Sequence, residues 1–311
     1  MSNIAQITVG IDVSKDTLAI HCWEQDHFLE LDNEPADIEQ WLKSLSDLVR
    51  IAIEPTSHYH LNLVLAALDQ GHTVYLVNPR QLAHYREAIN LRHKTDPHDA
   101  WLLSRYLVNE HDSLEPYQPQ SPQAQQLWGL LHRRALVVKS RQQLQQSLAQ
   151  EALSVKALMS EFKQVLQRID HRIQKLIVSL GWQQHYRNCC SVPGIGPLSA
   201  AALVATYHRG AFASSDAFVA FMGLDIRMRE SGQYRGRRKL TKRGPAELRR
   251  LLYCAAQAAR CCERFEVYRQ NQIEKGRSKI AANVALSRKL ARIAFTLMST
   301  DQMFQEEPKM A

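Results

Sequence analysis

The 311-residue chain has no cysteine spacing that suits a zinc site. Its six cysteines are two adjacent pairs, Cys189-Cys190 and Cys261-Cys262, and two singles, Cys22 and Cys254. Without a CxxC pair they read most simply as small apolar residues of a reducing compartment. Long apolar runs are missing too: nothing approaches the roughly 20 residues of a membrane-spanning helix. The N-terminal MSNIAQITVGIDVSK enters a strand-like segment with no charged-then-apolar leader, so the expected location is cytoplasmic, with no membrane partner. Acids are in deficit. Asp and Glu total 31 against 39 Lys and Arg, a formal net charge of +8. That balance favours an anionic partner, and nucleic acid is the commonest one. What is plentiful is apolar side chain, 45% of the residues, which calls for a packed core. The length suffices for two domains.

Residues 5–100 alternate strand and helix patterns. QITVGIDVS is β-rich, and LAIHCW and FLELDN flank the polar EQDH as a hairpin would. EPADIEQWLKSLSDL places Ile38, Leu42 and Leu45 on one helical face. VRIAIEP and HTVYLVNP read as buried strands stopped by Pro55 and Pro79. Between them LNLVLAALDQG is a helix closed by Gly71. Helices follow over about 81–90 and from KTDPHDAWLLSRYLV. The order β-β-β-α-β-α-β-α predicts an α/β domain of ribonuclease-H or RuvC-like type over residues 1–110.

Residues 111–186 form a linker, HDSLEPYQPQSP, and then long helices. Apolar residues from Leu144 to Leu180 recur at alternating steps of three and four, a coiled-coil seam. Its partner is another helix of the same chain or a second subunit. Residues 187–311 are expected to be mostly α-helical, with helices over about 245–264 and 276–299. CSVPGIGPLSAAALVATY resembles a helix-hairpin-helix, whose turn at Gly194 and Gly196 can hold a DNA phosphate or serve as a packing turn. A basic run comes next, with Arg227, Arg229, Arg235, Arg237, Arg238, Lys239, Lys242 and Arg243 as candidate nucleic-acid contacts. Each is either a phosphate clamp or a solvated charge touching backbone phosphate.

The acids carry the sharpest signal. In KTDPHDA, Asp96 and Asp99 share a helix face. A helix start explains them, with Asp96 as N-cap and Pro97 at the first helical position. So does a metal site. Asp12 sits between Ile11 and Val13 in a strand, where an unpaired buried carboxylate is costly. Glu54 ends the strand IAIEP in the same way. Both lie where sites collect in such sheets, at the carboxyl ends of strands. Four converging carboxylates would repel one another without a cation. They therefore favour the metal reading, with one or two Mg²⁺ ions at Asp12, Glu54, Asp96 and Asp99.

The set GID, IEP and KTDPHDA resembles the DEDD signature of the IS-one-ten family of insertion-sequence transposases. GIDVSKDTL, VNPRQL, HKTDPHDAWLL, SVPGIGPLSAAAL, FMGLD and the basic run after RESG fit as well, so the resemblance covers about residues 7–300. On residue type alone, Ser231 of RESG is a polar turn as readily as a nucleophile. The resemblance implies that Ser231 is the nucleophile of a recombinase forming a covalent phosphoserine. It also implies a structured guide RNA beside double-stranded DNA, and a dimer or tetramer in which the acids of one subunit meet the serine of another. The seam at 144–180 is then a candidate dimer contact. Alternatives are a site-specific invertase of the same family, a metal-dependent junction nuclease using water, and a non-catalytic binding protein.

Overall fold

The computed structural model describes residues 7–91, 95–150, 154–227, 230–231, 234–235 and 238–305. The chain divides into two compact units, Met1–Pro119 and Gln120–Ala311.

The first unit is built on β1 (Thr8–Val13), β2 (Thr17–Cys22), β3 (His27–Asp32), α1 (Pro35–Ser44), β4 (Arg50–Ile53), α2 (Leu61–Asp69), β5 (Thr73–Leu76), α3 (Pro79–Ala88) and α4 (Asp96–Glu110). Its five strands lie in the order β3-β2-β1-β4-β5. β1 pairs antiparallel with β2 and parallel with β4, and β4 is parallel to β5, so the sheet is mixed. Side chains alternate between the faces. Ile11, Ile51, Ile53 and Val74 join Ile38, Leu42, Leu63 and Val64 of α1 and α2 in one core. Ala52, Tyr75 and Val77 join Leu82, Leu102, Leu103 and Leu107 of α3 and α4 in another.

One residue sets how close α4 lies. Gly10 pairs with Ala52, so its missing side chain would point toward α4. A Cβ there would collide with the backbone of Ala100 and Ser104. The helix therefore rests on the strand backbone itself. Beside that contact, fully buried His21 reaches Ser104 Oγ from Nδ1 (2.7 Å) and exposed Asp26 from Nε2 (3.1 Å).

The second unit is mostly helical: α5 (Pro122–Ser147), α6 (Lys156–Ser179), α7 (Gln183–Cys190), α8 (Pro197–Tyr207), α9 (Ser215–Phe221), α10 (Ala246–Ala258), α11 (Glu263–Glu274) and α12 (Lys279–Ser299). Between α9 and α10 run four two-residue strands, β6 (Ile226–Arg227), β7 (Glu230–Ser231), β8 (Tyr234–Arg235) and β9 (Lys239–Leu240). β6 pairs with β9, and β7 pairs with β8. The core helix α8 is buried along almost its whole length, its alanines admitting close neighbours on every side.

The heptad pattern across 144–180 does not form one continuous helix. The chain breaks between Ser147 and Lys156, and α5 and α6 fold back as a hairpin. Leu166, Ile173 and Leu176 of the seam are buried, and α5 supplies Leu127 and Leu131 to the same core. Arg134 ties the pair by two bonds to Asp170 (2.5 and 3.0 Å). Seam residue Ala152 lies outside the described residues. The helix expected over 245–264 ends at Ala258, and a separate helix, α11, starts at Glu263.

Candidate active site

β1 carries Asp12 on the same face as Gly10, the face covered by α4. Glu54 follows the last residue of β4, the parallel neighbour of β1. Asp96 and Asp99 occupy the first turn of α4. The cap of this helix is Thr95 rather than Asp96, with Pro97 in the first turn behind it. Thr95 Oγ1 lies 2.7 Å from His98 Nδ1. The one-residue shift leaves both aspartates inside the helix, three apart on one face.

The carboxylates sense each other. The Asp12 pKa is pushed up to about 6, first by burial and then by the negative charges of Asp99, Asp96 and Glu54, with a backbone hydrogen bond at Val13 opposing them. Asp99 is 7% exposed and bound by Arg86, whose Nη2 donates to Oδ1 at 2.5 Å. That guanidinium is also largely buried, which strengthens the pair. Sequence reading missed Arg86, because nothing in PRQLAHYREA marks one arginine as the partner of an acid on the next helix.

Among the described residues no three or more histidine, cysteine, aspartate or glutamate side chains stand close enough to enclose a metal ion. The four acids are thus within electrostatic range but do not form a closed coordination shell. Their chemistry still suits a hard divalent cation, since every donor is a carboxylate oxygen. The repulsion at Asp12 is what such a cation would relieve.

In the second unit, Ser231 lies on β7 opposite Tyr234, and Arg235 lies on β8 opposite Glu230. Arg227 on β6 faces Lys239 on β9. Arg238, Lys242 and Arg243 are exposed, and Arg229 and Arg237 lie outside the described residues. Gly194 has φ +89°, and a Cβ on it would strike the backbone of Ala255 and Ala259. Packing of α10 therefore explains this glycine without a ligand. Gly196 has open space around it and is the N-cap of α8. Arg249 clasps the basic loop by donating to Met222 O (3.2 Å) and Gly244 O (2.7 Å).

Comparison with known families decides the relationship. A DEDD-type transposase family matches residues 9–156, the span holding all four acids, and the family described as "Transposase IS116/IS110/IS902 family" matches residues 186–270, the span holding Ser231. Both matches are to transposase families of the IS110 type, and together they reach into both units of the chain. Among similar proteins are the pilin gene-inverting proteins of Moraxella bovis and Moraxella lacunata, each 26% identical over 96% of this chain and 97% of their own length. A probable family 20 transposase of Pseudomonas aeruginosa is 25% identical over 96% of this chain and 98% of its own. No helix among the described residues is long and apolar enough to cross a membrane.

Proposed function

We propose that this chain is a DNA recombinase of the IS110 type that cuts and rejoins strands through a serine–phosphate bond. The observation that carries the reading is the field at Asp12, where three further acids, one after β4 and two on α4, bear on one half-buried carboxyl. Perturbed carboxyls of this kind cluster at functional sites. The strand order β3-β2-β1-β4-β5 supports a ribonuclease-H or RuvC-like assignment for the first unit. Asp12, Glu54, Asp96 and Asp99 would hold Mg²⁺, which when bound neutralises charge on phosphate oxygens.

The chain's own groups do the rest. Ser231 Oγ attacks the scissile phosphorus. The Oγ–P bond forms, the bond from phosphorus to one deoxyribose oxygen breaks, and the serine proton leaves to a base while the departing oxygen is protonated. A hydroxyl of a second DNA end then attacks the same phosphorus, releasing Ser231 with its proton restored. The bond count is unchanged, so exchange needs no external energy source. Arg227, Arg235, Arg238, Lys239, Lys242 and Arg243 would neutralise backbone phosphates.

Sequence choice is proposed to rest with a structured guide RNA, in keeping with the basic charge, and the working form with a dimer or tetramer. Inversion of a fixed segment is the second reading, favoured by end-to-end similarity to the Moraxella pilin gene-inverting proteins. The test is a denaturing gel of protein incubated with Mg²⁺, element-end DNA and the adjoining transcript. A DNA-linked protein band that disappears in both Ser231→Ala and Asp12→Ala is expected. Cut DNA without linked protein, unchanged by Ser231→Ala, would overturn the serine mechanism and leave a nuclease that uses water.

A further inference from the structure

A cavity of about 400 Å³ opens beside the β6–β9 ribbon at the start of α12. Arg238, Lys239, Arg277 and Arg288 line it, together with aliphatic Ile226 and Ile280. Ser278, the N-cap of the 21-residue α12, lines it too, so the positive end of a long helix adds to the same field. Its lining among the described residues includes no acid and no aromatic ring. The positive charges are crowded. Arg288 Nε is buried with no hydrogen-bond partner. Burial and then the charge of Arg292 push this guanidinium's pKa down, Tyr268 and Asp216 oppose them, and Arg277 adds the smallest downward push. Asp216 is committed elsewhere, to Arg292 at 2.7 and 2.8 Å.

The volume lies in the range of small-ligand sites. Several cations, with one unmet N–H at Arg288, select an anion, and oxygens arranged as in a phosphate suit arginine best. The aliphatic side chains call for a ligand with an apolar flank. Without a ring to stack on, the site does not suit a base. We propose that this cavity seats one sugar-phosphate unit of a DNA strand, with Arg277 and Arg288 holding phosphate oxygens and Ile226 and Ile280 facing the deoxyribose. It rests on the reading of DNA as substrate and extends it to two arginines outside the basic run. A seat beside the ribbon that flanks β7 and β8 would fix the strand near the segment carrying Ser231.

The test is fluorescence anisotropy on full-length protein carrying Ser231→Ala, so that no covalent bond contributes. The probes are labelled single-stranded DNA, duplex DNA and RNA of one sequence. Arg277→Gln and Arg288→Gln should each weaken DNA binding roughly five- to tenfold. Together they should reduce the slope of log affinity against log salt by about 1.4 to 1.8, the loss of two phosphate contacts. Arg277→Lys should keep the slope. Ile280 is 67% exposed, so Ile280→Glu should weaken binding with an unchanged melting curve, which covers the case of Arg288→Gln failing to fold. Unchanged affinity and slope in all variants would overturn the proposal, and so would a loss confined to RNA. If the otherwise wild-type chain forms no DNA-linked band yet these variants bind weakly, the seat stands and the serine mechanism falls. If the band forms and the variants bind normally, the seat alone falls.

Discussion

The two units do the same thing with opposite signs. Around Asp12 the first unit gathers carboxylates from β1, β4 and α4 until one of them resists ionising. Around Arg288 the second unit gathers cations from the β9 region and the start of α12, and burial and then Arg292 lower the Arg288 pKa. Unit charges about 4 Å apart interact by roughly 4 kcal/mol at an effective dielectric of about 20, well above the 0–1 kcal/mol of an exposed ion pair. Neither arrangement is a stability device. Each is a cluster of like charges that a ligand of the opposite sign would relieve. The supports differ, however. The acids stand on strand ends and a helix locked to the sheet, whereas most of the cations stand on short ribbons and one helix start.

The largest effect that would break this comparison is chemical. Asp12→Asn keeps the shape and removes the charge. It should cut formation of DNA-linked protein by at least about a thousandfold, or about 4 kcal/mol, in single-turnover gels. Retained activity would make the acid cluster incidental. Next come the two glycines. Gly10→Ala should destabilise the first unit by about 3 kcal/mol or more, because the collision is with backbone that has nowhere to move. Gly194→Ala should do the same to the second unit and adds strain at φ +89°. Hydrogen-exchange mass spectrometry, peptide by peptide, should find each loss confined to its own unit.

Arg86→Met leaves Asp99 buried without this partner and should cost about 3 kcal/mol in urea unfolding. Adding Asp99→Leu should restore much of it. Non-recovery would show that Asp99 matters to the fold beyond the pair.

The smallest effect gives the sharpest contrast. Asp12 has a folded pKa of about 6 against an ordinary 3.8. The folded state therefore holds its proton more tightly, and the first unit should lose stability as pH rises from about 4 to 6. His208 is driven down to about 4 from 6.5, by burial and then by His185. It stacks on Trp182 at 4.1 Å and lies 3.0 Å from His185. Here the unfolded state binds the proton more tightly, so the second unit should lose stability as pH falls from about 6.5 to 4. Exchange rates measured in chelator across that window should run in opposite directions in the two units. His208→Gln should flatten only the second, by no more than about 1 kcal/mol given partial solvent screening.

Much of the first unit was legible in the sequence because strands and helices there keep their periods over whole elements. Polar EQDH marked the hairpin, and Pro55 and Pro79 marked strand ends. Asp12 and Glu54 stood out as acids where apolar side chains belong. Less was legible in the second unit. Two-residue strands are too short to show alternation. The break after Ser147 lacks proline and glycine, so the heptad spacing ran on through it. α11 was hidden because its buried face includes Arg269 and Gln272. Arg269 is accommodated by bonds to Asn283 (2.8 Å) and Glu266 (2.9 Å), a pairing set by tertiary contact. The roles of Arg86 and of the His21–Ser104 link were invisible for the same reason.

The contact at Gly10 has one more consequence. Helices usually sit on sheets through a layer of side chains, and swapping a leucine for a valine shifts the spacing between them. Here no such layer intervenes at the point where α4 crosses β1. The separation between the strand bearing Asp12 and the helix bearing Asp96 and Asp99 is fixed by peptide groups, whose dimensions no substitution elsewhere alters. Substitutions among the side chains around α4 should therefore leave the spacing between Asp12 and the helix bearing Asp96 and Asp99 little changed.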